Sequence, residues 1–168
     1  MFTFLLTLFE KFAGYERLTL SETERAIRLY KGELVGILGP GDHLLPNPRN
    51  RLAVERYSLT TPEFTSRLER PLFDRLSDVA NAHLTTVQTG AEDVAVIERD
   101  GVIYTVLGPD TRLVLWTDAG PWTVTRFAFA EGLEVDAALL RRLVKARALA
   151  EVAVVSVTEG TQAVLFVD

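Results

Sequence analysis

The chain has 168 residues, 48% hydrophobic and 24% charged, a balance that supplies a buried core and excludes wholesale disorder. Its formal net charge of −5 lacks the basic excess with which a dedicated nucleic-acid binder displaces counterions from phosphates, so no nucleic acid is expected as a partner. It has no cysteine, and its two histidines, His43 and His83, stand in unrelated contexts, which excludes disulfides, thiolate chemistry and thiolate zinc sites.

The first element is apolar. Phe2, Leu5, Leu6, Phe9 and Phe12 recur at helical spacing and predict an amphipathic helix over residues 1–16. Glu10 and Lys11 interrupt the run, well short of the roughly 20 residues a spanning helix needs. Neither a basic leading segment nor a small-residue cleavage site stands out, and the chain reads as cytoplasmic. Two readings of the apolar face remain open. It packs on the protein itself or on a neighbouring chain, or it makes peripheral membrane contact. Few Lys or Arg residues flank it, which favours protein contact.

A first unit is predicted over residues 17–84. Residues 26–30 and 34–38 are β-rich runs separated by Lys31-Gly32, a hairpin signal. Gly39-Pro40-Gly41 ends the second run. Further strands over 43–45 and 51–59 complete an antiparallel meander. Phe64, Leu68, Leu72, Leu76 and Val79 then form one helical stripe, which Pro71 is expected to kink or divide.

A second unit, over 85–153, repeats the order. Strands are predicted over 94–97 and 102–107 around Asp100-Gly101, then over 112–116 and 122–129. A helix follows, with Asp136 as N-cap and Val135, Leu139, Leu140, Leu143, Val144 and Leu149 on its apolar stripe. Trp116 and Trp122 flank the turn over 118–121, where they pack across a hairpin or line a small-ligand or peptide site. Residues 154–168 read as the opening strand of an incomplete third unit. Its Val164 and Phe166 lie on a strand whose free edge is expected to add to a sheet within or between chains.

The units are related by position. A shift of 69 lays Ala26-Ile27 on Ala95-Val96, Gly32 on Gly101, and Leu38-Gly39-Pro40 on Leu107-Gly108-Pro109. After a one-residue slip, Val54, Arg56 and Tyr57 fall on Val124, Arg126 and Phe127. The expected fold is therefore α+β: two tandem units, each a small antiparallel sheet followed by a helix, with an N-terminal amphipathic helix and a C-terminal strand added.

No motif for catalysis emerges. The glycine-rich stretch 36–41 lacks a Gly-Lys-Ser/Thr ending, and Pro40 removes a donor that a phosphate cradle requires. Asp42-His43 has no nucleophile beside it, and the position of His43 holds Arg112 in the second unit. Glu22, Glu24, Glu92, Asp93 and Glu98 are dispersed rather than set at metal-ligand spacing. Catalytic, cofactor and metal residues are all expected to be absent.

The segment Glu24-Arg25-Ala26-Ile27-Arg28-Leu29-Tyr30-Lys31-Gly32, with Leu38-Gly39-Pro40-Gly41-Asp42-His43-Leu44-Leu45-Pro46 and Val54-Glu55-Arg56-Tyr57, resembles the opening of the stomatin-like SPFH domain. It is most similar to the N-terminal repeat region of bacterial slipins. The resemblance spans residues 18–57, extends over 87–127, and reappears in part over 155–168. The second unit departs from it, with Asp93-Val94 in place of Glu24-Arg25 and Asp110 in place of Gly41. It implies a scaffold that oligomerises and binds protein partners, associated with membranes, without chemistry of its own.

Overall fold

The computed structural model describes residues 14–128 and 136–147. These form a mixed α+β protein of small antiparallel sheets and three short helices. They divide into two compact units, each discontinuous in sequence. One holds the described residues up to Val87 together with Arg112–Trp122; the other holds Gln88–Thr111 and the described residues from Thr123 onward.

The first compact unit begins with β1 (Tyr15–Leu20), β2 (Glu24–Tyr30), β3 (Glu33–Leu38), β4 (Gly41–Pro46) and β5 (Leu52–Ser58). Lys31 (φ 55°) and Gly32 (φ 80°) make the β2–β3 turn with two successive positive φ angles, the geometry that suits the right-handed twist of a tight hairpin. The expected meander is corrected here. β2 is central in a sheet ordered β3–β2–β5, while β4 leaves that sheet and pairs antiparallel with β1. The strand over Tyr15–Leu20 was not foreseen, and Tyr15 and Glu16 belong to it rather than to an N-terminal helix. Its alternation is legible in retrospect, because Leu18 and Leu20 are buried while Arg17 and Thr19 face outward. Asn47 fastens the next connection: its Nδ2 donates to Glu16 Oε2 at 2.7 Å and its Oδ1 accepts from the Leu52 N–H at 2.8 Å.

Helices α1 (Glu69–Arg75) and α2 (Ser77–His83) follow. The chain divides at Leu76 (φ −132°, ψ 49°), not at Pro71. Pro71 lies in the first turn of α1, where its missing N–H has no intrahelical acceptor to lose. Phe64, assigned by spacing to the helical stripe, precedes the helix, and its N–H donates to Val114 O at 2.8 Å. A second unforeseen strand, β6 (Leu84–Gln88), pairs with β9 (Arg112–Trp116). The core combines Ile27, Leu29, Leu59, Phe64, Leu72 and Ala80 with Leu84, Val114, Trp116 and Ala119. A smaller cluster of Leu18, Leu20, Ala26 and Leu45 fills the space under β1 and β4.

The second compact unit contains β7 (Asp93–Arg99), β8 (Val102–Leu107), most of β10 (Trp122–Ala128) and α3 (Ala137–Ala146). β7 is central in the order β8–β7–β10. Asp100 (φ 52°) and Gly101 (φ 74°) make its hairpin turn. Asp136 caps α3, accepting from the Ala138 and Leu139 N–H groups at 2.6 and 2.9 Å. These bonds hold its carboxyl below the usual range. Leu143 and Leu139 pack on Val96, Ile103 and Val106. Val144, placed on the apolar stripe by spacing, is exposed, and Val135 and Leu149 lie outside the described residues. No helix among the described residues is long and apolar enough to cross a membrane.

Leu72 is fully buried in the first core. Leu72→Ala is expected to destabilise by about 2–5 kcal/mol, as burial plus cavity terms dictate. Val102→Ala, at an exposed position, should stay within about 0.5 kcal/mol of the wild type. Urea unfolding followed by circular dichroism distinguishes the two.

Candidate functional site

Among the described residues, a cluster of aromatic and ionisable side chains lies in the first compact unit, where β9 and the 3₁₀ turn Thr117–Ala119 meet β2 and β5. Trp116 is 1% exposed. Its ring lies 5.1 Å from Phe64 edge-on and 5.5 Å from Tyr57, and the Tyr57 and Phe64 rings are 5.3 Å apart. Three rings in tilted and edge-to-face contact gain attraction beyond their buried area. The backbone supports them, with the Trp116 N–H donating to Pro62 O at 2.8 Å. Trp116 Nε1 is buried without a hydrogen-bond partner. The Tyr57 hydroxyl lies 3.0 Å from Glu55 Oε2 and 2.9 Å from Ser66 Oγ, and burial raises its pKa.

The turn is clamped by charge. Arg25, buried on β2, donates from Nε and Nη2 to Asp118 Oδ2 at 2.9 and 2.7 Å, and from Nη1 to the carbonyls of Glu22 and Glu24 at 3.0 and 2.6 Å. A buried guanidinium satisfied in this way is a structural fastener, since its donors are spent on the protein itself. His83, at the end of α2, is near both charges. Burial lowers its pKa; the Asp118 carboxylate opposes that shift, and Arg25 adds to it. Beyond the clamp, Trp122 Nε1 donates to Trp116 O at 2.9 Å. A Cβ at Gly120 would lie 2.7 Å from Trp122 N and 2.8 Å from its Cδ1, so the turn closes only around glycine. On the outer side Arg112 forms an ion pair with Glu69, and its guanidinium lies 5.3 Å from the Phe73 ring centroid.

The sequence-derived site residues separate under this geometry. Trp116 and Trp122 are brought together, but as core and supporting residue rather than as two walls of an open surface, and β9 and β10 belong to different sheets. Phe2, Leu5, Leu6, Phe9, Phe12, Val164 and Phe166 lie outside the described residues. His43 Nε2 lies 2.9 Å from Gly39 O and is not among the partners of the Arg25–Asp118 clamp. Arg25, Asp118 and Tyr57 were not singled out for this role. An Arg inside an apolar strand was the available signal for the first. Among the described residues, no group of three or more His, Cys, Asp or Glu side chains is arranged to hold a metal ion. No protein-family model, curated protein or solved structure matches the chain.

Asp118→Ala leaves the Arg25 guanidinium buried without its carboxylate and is expected to cost about 1.5–3 kcal/mol, the range for hydrogen bonds to charged groups. Chemical denaturation measures it. A pH series tests His83. Its folded pKa is depressed, so the unfolded chain takes up the proton first as pH falls through the ordinary value of 6.5. The stability contribution is complete above that value and is lost between it and the lower folded pKa. His83→Gln should flatten this portion of the stability curve.

Proposed function

We propose that the chain is built from tandem copies of one sheet-and-helix unit, over residues 17–84 and 85–153. Residues 1–16 form an amphipathic helix and 154–168 the first strand of a third copy. In this reading it is a non-catalytic scaffolding and oligomerisation module of a slipin-like, stomatin-type assembly. It acts through protein–protein contacts, takes no cofactor, and is cytoplasmic with peripheral membrane contact through its N-terminal segment.

One observation carries the reading. Strands 69 or 70 positions apart take the same pairings: β1–β4 and β6–β9, then β3–β2–β5 and β8–β7–β10. The finer backbone details coincide as well. Positive φ recurs at Lys31, Gly32 and Gly41 and again at Asp100, Gly101 and Asp110. A bulge falls between Arg28 and Leu29, and again between Ile97 and Glu98. The ionisable side chains of the clamp and His43 do not recur. Arg25 falls on Val94, His43 on Arg112, and Asp118, with the one-residue slip, on Pro48. A unit that keeps its backbone path while exchanging its reactive groups is retained for shape. The ligand-site reading at Trp116 and Trp122 gains nothing from a tryptophan sealed in the core.

Crosslinking a mixture of light- and heavy-isotope chains tests the association. Mixed light–heavy crosslinked peptides should appear and increase with concentration. A chain that yields none at any concentration, and that binds a small ligand saturably, would overturn the scaffold reading.

A further inference from the structure

We propose that copies of this chain join head to tail, the β1–β4 face of one copy seating on the β8–β7–β10 sheet of the next. The inference rests on the tandem-unit reading above and names the contact through which the scaffold assembles.

The template is the joint inside the first compact unit. There the β6–β9 pair presents Leu84, Val114 and Trp116 to a core that includes Ile27, Leu34, Ile37 and Tyr57, with the Tyr57 and Trp116 rings 5.5 Å apart. Shifting back by 69 or 70 positions converts the donor face into Tyr15, Leu44 and Pro46. In the β1–β4 ladder Tyr15 stands opposite Pro46 and Arg17 opposite Leu44, so these side chains share one face. The buried donors have exposed counterparts: Tyr15 is 42% exposed, Leu44 53%, and Pro46 is also exposed. The opposite face, through Leu18 and Leu45, is buried in its own cluster.

On the receiving side, Ile27, Leu34 and Ile37 fall on Val96, Ile103 and Val106, which α3 covers through Leu139 and Leu143, and Tyr57 falls on Phe127, beside that cover. Tyr57 is packed between two aromatic rings, whereas Phe127 is 37% exposed. The clamp is absent from both sides at once. Arg25 becomes Val94 and Asp118 becomes Pro48, so the contact between copies repeats no buried Arg–Asp pair, while Arg17, opposite Leu44 on the donor face, stands where the template has Thr86. A donor face and a receiver built from different strands make a heterologous contact, which adds copies in one direction and gives open chains, or rings where the rotation between successive copies closes.

Sedimentation velocity of full-length protein tests this. Wild type should give species that lengthen with concentration. Leu44→Glu spoils every donor face and Phe127→Glu every receiver, so each variant alone should remain monomeric. An equal mixture should recover a species of two chains and nothing longer, because one sound donor and one sound receiver remain. Where either Glu variant loses the wild-type circular-dichroism spectrum, Leu44→Ser and Phe127→Ser replace it. Association that survives both variants unchanged overturns the head-to-tail joint and leaves the scaffold reading standing. A strictly monomeric wild type overturns the joint and removes self-association from that reading too. A monomeric wild type whose Leu44→Glu variant is also less stable assigns the face to a segment of the same chain, and overturns the joint.

Discussion

The contact of Trp116 with Tyr57 and Phe64 is the constraint on which the first compact unit depends. Its widest sheet has only three strands, and its helices are seven residues each. Elements that short cannot enclose a core by themselves. The missing volume arrives from a segment far along the chain, with Val114, Trp116 and Ala119 completing a cluster begun by Ile27 and Leu29. The Arg25–Asp118 pair then fixes that segment against β2. The aromatic contact supplies the attraction, and the ion pair supplies the register, because a buried guanidinium tolerates few alternatives to its carboxylate.

This division between local and distant information explains what the amino-acid sequence revealed. Lys31-Gly32 and Asp100-Gly101 located both hairpins, since successive positive φ angles are a local requirement that few residue pairs meet. Asp136 located the start of α3 for the same reason. The departure of β4 to pair with β1 was not legible, because partner choice among short strands depends on which faces are buried in three dimensions. Pro71 misled for a related reason. Its effect depends on whether it stands inside a helix or in the first turn, and spacing alone fixed neither boundary.

The candidate site was legible only in composition. Trp116 and Trp122 drew attention as large aromatics beside a turn, yet one is a core residue and the other supports its carbonyl. Arg25 and Asp118 are 93 positions apart, and nothing in the local pattern of either indicates the other. The recurrence at a shift of 69 was the stronger guide. The differences between equivalent positions, buried Trp116 against exposed Pro46 and packed Tyr57 against exposed Phe127, follow directly from it.

The distribution of indole rings has a spectroscopic consequence. Both tryptophans of the chain, Trp116 and Trp122, belong to the first compact unit. Intrinsic fluorescence excited at the red edge therefore follows the opening of that unit alone, while far-ultraviolet dichroism averages over both. Where the two signals part company along a denaturation curve, the interval between them is the independent melting of the second unit, seen without any added label.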